Sequence, residues 1–138
     1  MKIYSDKNVY EAAKERLRYI FSEFDRVGVW SSGGKDSTVI INLTLEVAEE
    51  LDRLPITVTF LDQEAEWQAV VDYQRRLVDD PRIDFHWLQV PLQISNGTSH
   101  TQDWLYCWED GKEWMRDKEP NAIKDNIYGT TSFYPLFG

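Results

Sequence analysis

The sequence predicts an α/β fold in which a small parallel sheet carries flanking helices. Three observations lead there. Segments of helical and of strand-like periodicity alternate from the N-terminus to about residue 90. The strand-like segments are short and apolar without strict alternation, as strands buried in a parallel sheet are. The chain has 138 residues, 42% hydrophobic and 14% aromatic, which suits one packed domain and is too apolar for disorder.

The elements follow in order. Val9, Ala12, Ala13, Leu17, Ile20, Phe21 and Phe24 recur at helical spacing and predict a helix from about Asn8 to Phe24. Arg26 to Trp30 reads as a short buried strand, and a small polar loop follows, Ser31 to Asp36. A helix is expected from about Ser37 to Leu51, with Val39, Ile40, Leu43, Val47 and Leu51 on one face and Leu54-Pro55 as its stop. Ile56 to Leu61 is β-branched and aromatic, hence a second strand. Glu66 to Val78 reads as helix, with Trp67, Val70, Val71 and Leu77 inward and Asp79-Asp80-Pro81 as terminator. Phe85 to Val90 reads as a third strand. This strand-helix-strand-helix-strand order implies parallel pairing with helices packed on the faces.

Beyond Pro91 the periodicity decays into an aromatic-rich stretch, Trp104 to Trp114, read as a helical turn or two, and then an irregular apolar ending, Tyr128 to Gly138. No repeat or linker divides the chain. It reads as a single domain, 1–138, with an N-terminal helix (1–25), a core (26–91) and an aromatic-rich lid or interface segment (92–138). Three strands are few for a doubly wound sheet, so the sheet is expected to be unusually small, completed by a partner or cut short. The ending Phe133-Tyr134-Pro135-Leu136-Phe137 either covers its own core or docks onto a partner or a second copy.

Composition narrows the function. Fifteen basic against 24 acidic residues give a net charge of −9, which weighs against a nucleic-acid grip over the whole surface. No apolar run is long enough to span a membrane. Met1 to Asp6 lacks the apolar core of a secretory signal. One cysteine, Cys107, excludes an internal disulfide and a CxxC metal site. A soluble, cytoplasmic protein is the expectation.

The chemistry concentrates in Ser31-Ser32-Gly33-Gly34-Lys35-Asp36-Ser37, between a predicted strand and a predicted helix. A helix N-terminus offers unpaired N–H groups and the positive end of the macrodipole. Adjacent glycines let backbone wrap an anion without a Cβ in the way. Ser32 and Ser37 add hydroxyls, and Lys35 adds a point charge. Together these make a phosphate or pyrophosphate cradle. The loop is not a Walker A sequence, since Asp36 separates the lysine from the serine.

Ser32-Gly33-Gly34-Lys35-Asp36-Ser37 resembles the SGGxDS loop of the PP-loop ATP pyrophosphatase superfamily. The lysine followed by Thr38-Val39-Ile40 is similar to the phosphoadenosine phosphosulfate (PAPS) reductase branch. Phe60-Leu61-Asp62-Gln63-Glu64-Ala65-Glu66-Trp67 stands where that branch carries D-T-G-x-x-x-P-E-T; Asp62 aligns, and Gln63-Glu64 replaces Thr-Gly. The resemblance runs from about Arg26 to Trp114. It implies an adenine-nucleotide α-hydrolase-like, three-layer flavodoxin- or Rossmann-like sheet, possible in incomplete form, with the nucleotide at the carboxyl ends of the strands. It implies that Ser31, Ser32, Gly33, Gly34, Lys35, Asp36 and Ser37 hold the phosphates of ATP or the sulfate or phosphate of a PAPS-like nucleotide, with Lys35 and Asp36 in catalysis. The backbone of Phe60 and Leu61 would meet the adenine, and Asp36 and Asp62 would hold Mg²⁺. Reductases of this family use a cysteine in a C-terminal tail, some with an iron–sulfur cluster. Cys107, flanked by Tyr106 and Trp108, reads instead as a core or interface residue, and one thiol cannot hold a cluster.

Other residues carry weaker signals. Gln63, Glu64 and Glu66 are placed to orient a ribose, metal or substrate, or they simply favour a helix N-terminus. His86 reads as a satisfied histidine and His100 as a loop residue. Trp104, Tyr106, Trp108 and Trp114 read as an interface or core lid before a base-stacking platform. Arg75 and Arg76 with Arg82 read as a small basic spot or, equally well, as a solvated helix face. Three functions are compatible: adenylation of an acceptor by ATP with pyrophosphate release, sulfonucleotide reduction with a thiol from another chain, and a non-catalytic nucleotide-binding module.

Overall fold

A computed structural model describes residues 6–125. Helix α1 spans Val9–Glu23, followed by strand β1 (Gly28–Ser31), α2 (Lys35–Glu50), β2 (Ile56–Leu61), α3 (Gln68–Val78) and β3 (Ile83–Leu88). The strands form one sheet in the order β1-β2-β3, and both pairings are parallel. The alternating order of elements and the short crossovers leave little choice. The chain then makes an antiparallel ribbon of β4 (Leu92–Ser95) and β5 (Trp104–Cys107). This ribbon replaces the helical turns expected after Pro91. Trp104-Leu105-Tyr106-Cys107 is a short run rich in aromatic residues, and such a run is ambiguous until a partner strand pairs with it.

The register sets the two faces of the sheet. Val29, Val58 and Phe85 share one row, and Ser31, Phe60 and Trp87 share another on the same face. Ile56, Val58 and Ile83 join Phe21 of α1, Ile41, Leu45, Val47 and Ala48 of α2, and Leu77 of α3 in the main core. Phe60 and Trp87 pack with Val71 of α3, the two rings edge to face at 5.6 Å. Full burial of each such side chain is worth about 1.5–3 kcal/mol. The opposite rows, Gly28-Thr57-Asp84 and Trp30-Thr59-His86, are exposed or half-exposed. Of the three layers the fold class implies, the described residues supply the sheet and one helical layer.

The helices differ from expectation in phase. The buried stripe of α2 is Ile41, Thr44, Leu45, Val47 and Ala48, whereas Val39, Ile40 and Leu51 lie on the exposed side. Thr44 is admitted to the core because its hydroxyl donates to the Ile40 carbonyl at 2.7 Å. Trp67, expected inward, is 83% exposed because it precedes the first residue of α3 in extended conformation and so lies off the helical stripe. Helix α1 is capped by Asn8, whose side chain accepts the Glu11 N–H at 2.9 Å. It is tied to α2 by the covered Lys14 ammonium, which pairs with Glu46 at 2.8 Å and with Glu50.

At the C-terminal end of the sheet, Val90, Leu92, Cys107 and Trp108 form a further core with Leu61, Ile94 and Trp114. The chain then returns beside β3: Ile123 N–H donates to the Trp87 carbonyl at 2.8 Å, and Gln89 N–H to the Ile123 carbonyl at 3.0 Å. No described helix is long and apolar enough to cross a membrane. The apolar ending, Phe133 to Phe137, lies outside the described residues.

Candidate functional site

The polar loop leaves the carboxyl end of β1 and enters α2 at once. Helix α2 begins at Lys35, earlier than expected, with Gly34 at its N-cap and Lys35 and Asp36 in its first turn. The Ser32 and Ser37 hydroxyls lie 3.0 Å apart, and the Ser32 N–H donates to Ser37 Oγ at 3.2 Å. Ser37 and Thr38 hydroxyls both donate to the Gly34 carbonyl, at 3.0 and 2.9 Å. Gly33 sits at φ +71°, and a Cβ there would come within 2.5 Å of Val70 Cγ1 on α3. Glycine is therefore required twice, by its backbone angle and by the close approach of α3. Behind it lies Gln74, fully buried, with neither amide atom hydrogen-bonded; its Nε2 is 3.2 Å from that same Cβ position.

Beside the loop a cavity of about 390 Å³ is lined by Trp30, Ser31, Ser32, Phe60, Leu61, Gln63 and Glu66. It lies where open α/β sheets bind ligands, past the ends of the parallel strands. The structure thus brings Ser31, Ser32, Phe60 and Leu61 to one cavity. Gly33, Gly34, Lys35, Asp36 and Ser37 continue from it around the start of α2. Lys35 and Asp36 are almost fully exposed and pair with each other at 3.1 Å. Glu66 also lines a second cavity, about 340 Å³, with Glu64, Trp67, Met115 and Arg116. Burial, and then the neighbouring Asp62 charge, push the Glu66 carboxyl above its ordinary range.

Asp62 has a different place from the one expected. It is fully buried. Its carboxylate accepts from Trp87 Nε1 at 2.7 Å, from Gln89 Nε2 at 2.9 Å, from the Glu64 N–H at 2.9 Å and from Arg116. Its carbonyl accepts from Trp108 Nε1 at 2.8 Å. Asp36 meanwhile faces Lys35. A hard divalent ion needs carboxylate oxygens open to it and to its waters, and Asp62 has none to offer, so the Asp36/Asp62 pair does not fit Mg²⁺. Among the described residues no group of three or more His, Cys, Asp or Glu is arranged to hold a metal.

Glu64 is architectural as well. Held at φ +67°, it accepts the Trp108 N–H at 2.5 Å and the Met115 N–H at 3.0 Å. The Asp62-Gln63-Glu64 segment therefore clamps the Trp108–Arg116 stretch onto the end of β2, while Gln63 and Glu66 face the cavity. Arg116 lies over the Trp108 ring at 5.0 Å, and Lys118 over Trp114 at 4.4 Å. Trp108 and Trp114 thus belong to the core lid, while Trp104 and Tyr106 remain about half exposed. Cys107 is buried, and its thiol is pushed up to about 11 by burial and then by Glu64, Asp62 and Glu66.

Arg76 lies over the Tyr73 ring at 5.7 Å. Arg75 pairs with Asp72 and Glu119, and Arg82 with Asp80. His86 meets Asp84 at 3.2 Å. Sequence reasoning missed Gln74 and Arg116. Gln74 carried a signal, a polar residue on the Val70-Val71-Leu77 stripe; Arg116 carried none, since its partner is remote in sequence.

Comparison with known proteins gives the family. The family described as "Phosphoadenosine phosphosulfate reductase domain" matches residues 26–127. The chain is 37% identical over 121 residues to the uncharacterised protein YbdN of Escherichia coli (strain K12). That alignment covers 86% of this chain and 30% of YbdN, so the chain spans less than a third of that relative's length. No solved structure matches it significantly. With its strand-loop-helix cradle opening on a cavity at the strand ends, the chain belongs to the phosphoadenosine phosphosulfate reductase domain family.

Proposed function

We propose that this chain binds ATP or an adenine sulfonucleotide across the Ser31–Ser37 loop and the adjoining cavity. In this reading it splits the α–β phosphate bond of ATP, transfers the adenylyl group to an acceptor and releases pyrophosphate. One observation carries the proposal: the paired Ser32 and Ser37 hydroxyls stand at the start of α2 beside a cavity lined by Ser31, Ser32, Phe60 and Leu61. The hydroxyls and the N–H groups of the first turn receive the phosphates. Lys35 is exposed and swings from Asp36 to the leaving pyrophosphate, because opening a surface ion pair costs little. Glu66 is the carboxylate at the cavity wall. No step is assigned to a metal ion.

The second reading is sulfonucleotide reduction. The burial of Cys107, the one cysteine of the sequence, means that the thiol would come from another chain. In the third the nucleotide is a non-catalytic ligand and the exposed aromatic residues Trp104 and Tyr106 meet a protein partner or a second copy. A cytoplasmic location fits all three.

Calorimetry with ATP and with adenine sulfonucleotides tests the shared premise. Lys35→Ala is expected to weaken binding roughly tenfold. Absence of heat with every adenine nucleotide overturns the proposal. Release of pyrophosphate rather than phosphate, dependent on an added acceptor, distinguishes adenylation from passive binding.

A further inference from the structure

Gln63 lines two cavities. One is the nucleotide cavity; the other, about 500 Å³, is bounded by Gln63, Gln93, Ile94, Ser95 and Trp104. Four of these residues belong to the β4–β5 ribbon, where Ser95 is the cross-strand partner of Trp104 and Gln93 that of Tyr106. In a chain of net charge −9, none of the five carries a charge.

The chemistry of this lining is specific. Two carboxamides each offer a donor pair and an acceptor, and the Ser95 hydroxyl offers either. This is the set that reads the edge of a heteroaromatic ring. Trp104, 48% exposed, lines the cavity, and an indole is a side chain on which such a ring stacks. A phosphate would find no cation here, and an ammonium no carboxylate. Phe60 and Leu61 already give the neighbouring cavity a floor for the nucleotide's own base.

We infer that the ribbon cavity is a binding site for the uncharged planar heteroaromatic ring of the acceptor, held between Trp104 and the Gln63 and Gln93 amides next to the nucleotide. The inference rests on the nucleotide reading of the adjoining cavity and names the acceptor class that the reading leaves open. An acceptor of this class presents a ring nitrogen, oxygen or exocyclic amine toward Gln63, the residue shared with the nucleotide cavity.

The test titrates adenosine, cytidine and uridine into the protein saturated with a non-hydrolysable ATP analogue. At least one nucleoside is expected to bind. Trp104→Ala is expected to weaken it about five- to 150-fold, and Gln93→Leu to change the preference among the three. Both variants keep the affinity for the ATP analogue and the urea midpoint, because Trp104 and Gln93 lie outside the cores. No nucleoside binding, or binding unchanged in Trp104→Ala, overturns the inference. So does a Trp104→Ala variant that loses the ATP analogue itself, for then the ring in the ribbon cavity is the nucleotide's own base. If the ATP analogue fails to bind at all, the nucleotide reading falls. Nucleoside binding that Trp104→Ala abolishes would still support the ring site, and its absence would overturn that too.

Discussion

Asp62 and Arg116, 54 positions apart, meet in an ion pair at the end of β2, with Asp62 fully buried and the Arg116 side chain 18% exposed. Trp87, Gln89 and the Glu64 N–H complete the carboxylate's partners. The pair joins the parallel sheet to the segment that follows the ribbon. It also turns the aspartate that aligns with the family's second motif from a ligand-facing group into a packing one.

Removing one member of such a pair leaves an uncompensated buried charge, which costs about 3–5 kcal/mol. Arg116→Ala is therefore expected to lower stability by about that amount. Asp62→Asn keeps an acceptor for Trp87 or Gln89 and is expected to cost less. Urea unfolding of the variants and of the double variant measures the coupling. If the two single changes simply add, the pair is not the joint described.

The Ser31–Ser37 loop depends on Gly33 for shape. Gly33→Ala places a methyl group 2.5 Å from Val70 Cγ1 at a backbone angle disfavoured for alanine. A residue forced into that region costs of order 1–3 kcal/mol, with the clash in addition. The added change Val70→Ala removes the clash but not the backbone strain, so partial rescue is expected in thermal unfolding. Full rescue would mean that the angle is without cost; no rescue would mean that the α3 contact is unimportant.

Much of this was legible in the sequence, for physical reasons that differ by element. Ile56–Leu61 appeared as a strand with both ends correct because its residues are β-branched and aromatic and Pro55 precedes it. The loop appeared because two glycines among serines and a lysine interrupt the apolar pattern between a strand and a helix, and the structure places them at that junction. The ribbon did not appear, because a strand that pairs across the connection 96–103 has no local signal beyond alternation. Nor did the burial of Asp62: an acid at the end of a strand looks ligand-facing until remote Trp108 and Arg116 close over it. Trp67 misled in the opposite sense, since periodicity cannot see that the helix starts at Gln68, two residues later than Glu66.

Cys107 gives a prediction in pH. Burial above all pushes the folded thiol from its ordinary value of 9.0 up to about 11. At about pH 8 its thiolate fraction is then about 100-fold below that of the unfolded chain. Iodoacetamide should label it at least tenfold more slowly than it labels the guanidinium-unfolded chain. The linkage has a definite sign. With the folded value raised, the thiol's contribution to stability is complete below about 9 and is lost as pH rises from there to about 11. Equal labelling rates in the two states would show that the thiol is accessible in the folded protein.

Gln74 supplies the last prediction. It is fully buried on α3 beneath Gly33, and neither its Nε2 nor its Oε1 has a hydrogen-bond partner. An unsatisfied buried amide costs about 1–3 kcal/mol. Gln74→Leu, close in volume and without polar atoms, should therefore leave the protein at least as stable, with an expected gain of about 1 kcal/mol in urea unfolding. Gln74→Glu should behave oppositely and with pH. Burial in an apolar site raises a carboxyl's folded value, so the variant keeps its stability below the unfolded value of about 4.3 and loses it progressively as pH rises. A Gln74→Leu protein that unfolds more easily than the parent would overturn the reading of this amide as an unsatisfied, destabilising group.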